Sequence, residues 1–166
     1  MASRIEHRAE FSQGVDEVFA AQAGEPALRA RLAAVGGPNA ALLDYTTTAD
    51  GVSYTLRQGV GAEKLPSVVR TIHSGDLFVD RQERWHKTGA GYDGTARATV
   101  SGVPGEIDVR TELRAEGGKT VLRMDGEVKI RIPLVGGRLE EFVAGQITGL
   151  LKREVELSAQ WLAEST

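Results

Sequence analysis

The chain has 166 residues, of which 41% are hydrophobic and 26% charged, and its net charge is −3. This composition is ordinary for a globular protein, the length favours one domain over residues 1–166, and the interleaved charges exclude the basic footprint typical of nucleic-acid binding. The chain contains no cysteine, which excludes disulfides, thiol catalysis and thiolate metal sites.

The first third of the chain predicts a strand, two short helices and a hairpin. Charged and apolar residues alternate from Arg4 to Phe11, as in a half-buried strand. A first helix follows near Val15, and a second begins at Pro26 and ends at Gly36. The turn pair Asp50-Gly51 then separates two strands, at 41–48 and 51–60.

The rest of the chain predicts four more strands and one long helix. The segment 65–71 (LPSVVRT) breaks the alternation and predicts a short helical turn or a lid-like loop. The next four strands are expected at 75–86, 92–102, 106–115 and 120–132. After Pro133, apolar residues recur at three- and four-residue spacing from Arg138 to Leu162, as on a helix with one buried face.

This order of elements predicts an α+β fold of the helix-grip type. Long antiparallel strands joined by hairpins twist and curl, and one face of the sheet must be covered. We therefore expect a curved antiparallel sheet of about seven strands around the long C-terminal helix. No apolar run reaches the ~20 residues of a membrane span. We expect no stable membrane insertion and a cytoplasmic location.

The inward faces of the central strands indicate where a cavity could lie. In the strand at 106–115 the inward residues include Thr111, and in the strand at 92–102 most of them are small. The volume above small residues is filled either by a bulky neighbour or by a ligand. The expected ligand-binding residues are Tyr54, Gln58, Ala96, Ala98, Thr111, Met124, Phe142 and Ile147.

No motif in the sequence indicates a known type of cofactor site. Gly89, Gly91 and Gly94 match G-x-G-x-x-G, but the motif lies between two predicted strands, where no helix N-terminus can meet a phosphate. No histidine has a partner at metal-binding spacing, and no H-E-x-x-H or G-x-S-x-G occurs. We expect no cofactor, no metal and no assignable catalytic residue.

One possible polar node lies inside the predicted fold. His7 is on the apolar face of the first strand, and Glu154 is in the apolar arc of the long helix. Each needs a partner if it is buried, because an unpaired buried polar group is costly. The two either meet at the cavity or belong to separate structural contacts, such as a carboxylate paired with a nearby arginine.

The chain resembles the START-like (SRPBCC) helix-grip superfamily, which includes lipid-transfer, plant ligand-binding and polyketide cyclase proteins. It is most similar to an actinobacterial START-like family of unknown function. The resemblance covers nearly the whole chain and depends on four segments: RIEHRAEF (4–11), VDEVFAA (15–21), LPSVVRT (65–71) and IPLVGGRLEE (132–141). It implies the fold and a cavity for a hydrophobic ligand, and it transfers no catalytic residues.

Three functions remain open at the level of sequence. The first is binding of a small hydrophobic or lipid-like molecule between the sheet and the long helix, with the segment 65–71 as a gate. The second is a cyclase- or hydratase-type enzyme in which His7, Glu154 and Tyr54 act as acid and base. The third is a structural or interaction module with a packed interior. Nothing in the sequence indicates an oligomeric state.

Overall fold

The computed structural model describes residues 2–164, and its element order is the expected one. β1 (Ser3–Phe11) is followed by two helices, six further strands and a long last helix. The two helices are α1 (Val15–Ala23) and α2 (Glu25–Val35). The remaining strands are β2 (Ala41–Thr47), β3 (Gly51–Val60), β4 (Leu77–Thr88), β5 (Gly91–Val100), β6 (Val103–Glu116) and β7 (Lys119–Ile130).

The seven strands form one antiparallel sheet in the order β1-β7-β6-β5-β4-β3-β2. Each strand from β2 to β6 pairs with the next strand along the chain, and β1 pairs with β7 at one edge of the sheet. Burial alternates as the sequence predicts, so that Ile107, Val109, Thr111 and Leu113 of β6 are all buried. The residues between them face the other side of the sheet.

The last helix, α4 (Gly136–Glu164), lies on the inner face of the sheet. It has 29 residues, a length of roughly 43 Å at 1.5 Å per residue, and it packs mainly against β1 and β7. Its buried residues follow one stripe that includes Ala144, Leu151, Val155 and Leu162. α1 and α2 contact α4 near its C-terminal half and, through Leu28 and other residues, join the main hydrophobic core. The predicted helix-grip architecture is confirmed.

The expected segment at 65–71 is a helix with its own small core. α3 (Ser67–Ile72) follows a 3₁₀ turn at Ala62–Lys64. Leu65, Val69, Leu77 and Leu139 form a second hydrophobic cluster, separate from the main one. This cluster fixes α3 against β4 and the first turn of α4.

Element ends differ from the prediction by a few residues where local contacts decide. β4 begins at Leu77 rather than Gly75, because Gly75 has a φ of +83° and belongs to the preceding turn. β7 ends at Ile130, whose N–H donates to the Glu140 carboxylate at 2.8 Å. Within residues 2–164, no helix combines the length and apolar character needed to cross a bilayer.

Candidate functional site

A cleft of about 510 Å³ opens between α4 and the end of the sheet nearest α3. Its inner walls are apolar, and charged residues of the 3₁₀ turn and α4, such as Lys64 and Arg153, stand at its rim. The apolar wall comprises, among others, Val60, Leu65, Val100, Phe142, Ile147 and Leu150. A cleft of this size and character falls within the range of small-molecule sites.

A second, much smaller cavity of about 40 Å³ lies deeper, against the middle of the sheet. The cavity adjoins the cleft, because four residues line both spaces: Gln58, Val79, Ile107 and Ile147. The cavity has room for about three water-sized groups, because one water needs roughly 10–15 Å³. The two spaces form one candidate site, with ionic side chains among the lining of the inner cavity and a mixed wall of apolar, charged and amide side chains around the cleft.

The structure brings most of the predicted ligand-binding residues to this site. Ala96, Ala98, Thr111 and Met124 line the inner cavity, and Phe142 lines the cleft. The predicted Gln58 and Ile147 line both spaces. Tyr54 is the exception, because it lies behind the cavity wall and contacts the cavity residues Glu83 and Trp85.

A buried ionic cluster occupies the sheet side of the cavity. Arg81 of β4 makes a two-pronged contact with Glu154 of α4, with both Nη–Oε distances at 3.2 Å. The Arg81 Nε also donates to Glu83 Oε2 at 2.5 Å. All three side chains are nearly excluded from solvent, at 12% exposure for Arg81, 8% for Glu83 and 3% for Glu154. Arg81 therefore links the sheet to the long helix through charge.

Neutral groups complete the hydrogen bonding of this cluster. The Tyr54 hydroxyl donates to Glu83 Oε1 at 2.9 Å and accepts from the Trp85 indole N–H at 3.2 Å. The Gln58 amide donates to Glu154 Oε2 at 3.3 Å, and its oxygen accepts from Arg81 Nη1 at 3.4 Å. Both carboxylates are thus held by at least two donors each.

The pKa values of Glu154, Arg81 and Tyr54 are all shifted by their surroundings. Burial alone would raise the pKa of Glu154, but the charges of Arg81 and Arg31 and the hydrogen bonds of the carboxylate outweigh it, and the pKa is lowered. Burial would lower the pKa of Arg81, yet the facing carboxylates raise it. Burial and then the charge of Glu83 hold the pKa of Tyr54 well above 10. Glu154 is therefore a carboxylate and Tyr54 a neutral phenol near pH 7.

A second buried arginine lies at the helical side of the cavity. Arg31 of α2 is 6% exposed, and its Nη1 donates to the Gln22 carbonyl at 3.1 Å. The Gln22 amide in turn donates to the Ser158 hydroxyl of α4 at 2.7 Å. With Arg31 included, two guanidinium groups and two carboxylates surround the cavity. The charges of this lining sum to zero.

The predicted contact of His7 with Glu154 does not form. Glu154 bonds to Arg81 and Gln58, as in the alternative of a carboxylate paired with an arginine. His7 lies on the inner face of β1, does not line the cavity or the cleft, and its Nε2 is buried without a hydrogen-bond partner among residues 2–164. The two residues do not share a polar node: Glu154 is paired with Arg81 of β4, and β4 is three positions from β7 and four from β1, the strand of His7, in the sheet order.

The small residues of β5 serve two different purposes. A side chain at Gly94 would meet the Trp85 ring at 2.8 Å, so the indole already fills the space above this glycine. Phe19 packs edge-on against that ring at 5.7 Å and stacks on Tyr92 at 3.9 Å. Further along β5, Ala96 and Ala98 line the open cavity instead. The bulky-neighbour interpretation therefore holds at Gly94, whereas the volume beside Ala96 and Ala98 is open.

Sequence reasoning missed the charged residues at the centre of the site. Arg81 and Glu83 alternate with exposed neighbours and share the inward phase of Leu77, Val79 and Trp85. That phase was a usable signal, because a strand places every second residue on the same face. Arg31 gives a weaker signal, since it lies between the buried Leu28 and Leu32 of α2 in helical spacing. No group of three potential metal ligands occurs among residues 2–164.

The sheet order, the covering helix and the internal cavity define a START-like helix-grip protein. A solved structure of a START superfamily protein from Mycobacterium smegmatis superimposes with a TM-score of 0.56 at 9% identity, covering 98% of this chain and 99% of that one. A protein from Thermus thermophilus gives 0.65 at 11% identity, covering 99% of both chains. Norcoclaurine synthase from Thalictrum flavum, as a point mutant with a transition-state analogue, gives 0.58 at 11% identity and covers 99% and 96%.

At the level of sequence, residues 6–162 match DUF2505, a family described as proteins of unknown function, and the chain belongs to that family. Uncharacterised proteins of Mycobacterium tuberculosis and Mycobacterium bovis are 26% identical to it over 176 residues, covering 99% of this chain and of each relative. The resemblance drawn from the four sequence segments is confirmed. The structural neighbours are too distant in sequence to transfer more than the fold.

Proposed function

We propose that this protein binds a small, largely apolar molecule in the cleft between α4 and the sheet. The observation that carries the proposal is the cleft itself, which has a volume of 510 Å³, is bounded mainly by apolar side chains and has the 3₁₀ turn at its border. Each Å² of apolar surface that a ligand buries there contributes ~25 cal/mol. Ligand binding would also account for the open space in an otherwise closely packed fold.

The apolar wall supports an elongated or ring-shaped hydrophobic ligand. Phe142, Ile147 and Leu150 form the helix side of the cleft, and Val60 and Val100 lie on the sheet side. Leu65 closes the third side from the segment that carries α3. This segment is the gate in the proposal, because it borders the cleft and packs through the small second cluster rather than through the main core.

The fold that this chain shares with ligand-binding structures gives secondary support to the proposal. Norcoclaurine synthase of the same fold was crystallised with a transition-state analogue, so the architecture can accommodate small organic molecules. One fold serves many functions, and the argument for this chain depends on its own cleft.

The cyclase or hydratase alternative lacks a free acid–base pair. It requires two titratable groups that converge on one substrate. Of the three expected groups, only Glu154 lines the cavity, and its carboxylate is bound by Arg81 and Gln58. Tyr54 is bonded to Glu83 with a pKa well above 10. A fully packed interaction module fits less well, because the cleft is open.

Fluorescence titration with N-phenyl-1-naphthylamine tests the proposal. The wild type should bind one molecule of this apolar probe per chain with saturation. Leu150→Trp places a larger side chain in the cleft and should weaken binding at least 10-fold, whereas Leu43→Trp, on an exposed position of β2, should not. Circular dichroism should show both variants folded. Absence of saturable binding, or equal binding by the two variants, contradicts the proposal.

A further inference from the structure

Two buried donors at the inner cavity have hydrogen-bonding capacity that the protein does not use. Thr111 is 7% exposed and lines the cavity, yet its hydroxyl forms no hydrogen bond with any residue of 2–164. Arg31 is equally buried and makes one hydrogen bond, to the Gln22 carbonyl, and no salt bridge within the same residues. Among the described residues, the fully enclosed side-chain atoms without a partner are His7 Nε2 and Thr88 Oγ1, so the Thr111 hydroxyl and the Arg31 guanidinium are not sealed off. Both line the cavity and are open to a ligand group that enters it, and Arg31 also borders a second pocket beside Ser158.

The missing partner must be a hydrogen-bond acceptor. A guanidinium group can only donate, and a threonine hydroxyl can donate as well as accept. The acceptors nearby are already engaged, because Glu83 and Glu154 receive hydrogen bonds from Arg81, Tyr54 and Gln58. The unused capacity at the cavity is therefore on the donor side.

Charge balance decides between a neutral acceptor and an anion. Arg31 and Arg81 already balance Glu83 and Glu154 around the cavity. A ligand carboxylate would add a fifth charge with no counter-charge in a buried site, at a cost that far exceeds the gain from its hydrogen bonds. A carbonyl oxygen accepts the same hydrogen bonds without that cost.

The size of the cavity limits which part of a ligand, beyond the carbonyl group, can lie in it. Its 40 Å³ accommodates a carbonyl and an adjoining carbon but no ring or longer chain. The rest of the molecule must lie in the cleft, which the cavity adjoins at Gln58 and Ile147.

We propose that the ligand is a neutral amphipathic carbonyl compound, such as a long-chain ketone, ester or amide. Its carbonyl oxygen accepts hydrogen bonds from Thr111 and Arg31 in the inner cavity, and its apolar chain fills the cleft. This inference rests on the proposed function and names the class of ligand for that site.

Displacement of N-phenyl-1-naphthylamine by three eleven-carbon competitors at pH 8 tests the assignment. 2-Undecanone should displace the probe at a concentration at least 10-fold below that of undecanoate, which carries the extra charge, and of 1-undecene, which has no acceptor. Equal or tighter binding of undecanoate or 1-undecene overturns the inference.

Thr111→Val keeps the shape of the side chain and removes its hydroxyl. The variant should bind 2-undecanone about 5- to 10-fold more weakly, the loss of one hydrogen bond, with 1-undecene unchanged. Thr95→Val, at an exposed position of β5, should change neither. If Thr111→Val affects both competitors equally, the carbonyl contact is wrong. If the probe itself does not bind the wild type, the proposed function fails, whereas probe binding without a ketone preference contradicts only this inference.

Discussion

Arg81 is the residue on which the buried charges depend. It contacts both Glu83 and Glu154, and no other basic side chain forms a salt bridge with either carboxylate among the described residues. Such a buried cluster adds little stability compared with a well-packed apolar one, yet removal of one member leaves the others uncompensated. The account therefore predicts an asymmetry between buried and exposed arginines.

Arg81→Met should lower the free energy of unfolding by about 3–5 kcal/mol, because two carboxylates lose their contact cation in a buried site. Urea denaturation followed by circular dichroism measures the change. Arg97→Met is the matched control, since Arg97 pairs with Asp108 on an exposed surface and such pairs contribute about 1 kcal/mol or less. A loss below about 1 kcal/mol for Arg81→Met would show that the cluster is open to water.

At the scale of residues, the sequence pattern predicts which side chains face the interior but not which residues they contact. The alternation of β6 places Thr111 inside, and the helical spacing of α4 places Glu154 inside, as the structure confirms. Neither pattern names the partner of Glu154, because Arg81 is 73 residues away and meets it through the curvature of the sheet. The expectation that His7 is the partner of Glu154 depends on the inward position of His7 on β1. That position gives the face of the sheet but not the distance between the two side chains.

At the scale of elements, α3 and the 3₁₀ turn belong to a segment that packs through a small cluster separate from the main core. Four buried residues, Leu65, Val69, Leu77 and Leu139, form the cluster that fixes them. Segments with few buried apolar contacts open locally at lower free-energy cost than the rest of the fold. If this segment is the gate, weakening its cluster should change binding rates more than affinity.

Val69→Ala should raise both the association and the dissociation rate of N-phenyl-1-naphthylamine severalfold, with the dissociation constant within about twofold of wild type. The reason is that the removed methyl groups fix α3, at ~0.8 kcal/mol per CH₂, without lining the cleft. Stopped-flow fluorescence measures the rates. Val121→Ala removes the same atoms from a buried position of β7 and should leave both rates unchanged. Unchanged rates in Val69→Ala would place the entrance elsewhere.

The sequence predicts strands and helices well where the alternation or helical spacing of apolar residues continues over many residues without interruption. The alternation in β6 and β7 and the spacing in α4 give their type, and Pro26 and Gly36 mark α2 within a residue or two. Prediction is weaker at ends set by tertiary contacts. The carboxylate of Glu140, ten residues along the chain, bonds the backbone at Ile130 where β7 ends, and no local pattern reveals this contact.

At the scale of the whole molecule, the sheet encloses two kinds of space. The inner cavity has balanced charges and unused donors, and the larger outer cleft is bounded by apolar side chains together with charged and amide groups. The order of elements predicts that α4 covers the sheet, because no other helix is long enough. It does not predict how far the covered volume is filled, since that depends on which side chains, such as Trp85 above Gly94, turn into it.

Native mass spectrometry of the wild type and of Leu150→Trp, each incubated with N-phenyl-1-naphthylamine, tests the central claim most directly. The account predicts one bound molecule per wild-type chain, released on denaturation, and little or none on the variant, because the tryptophan fills the cleft. A wild type that binds no molecule, or a variant that carries the same load, would contradict the assignment of the cleft as the ligand site.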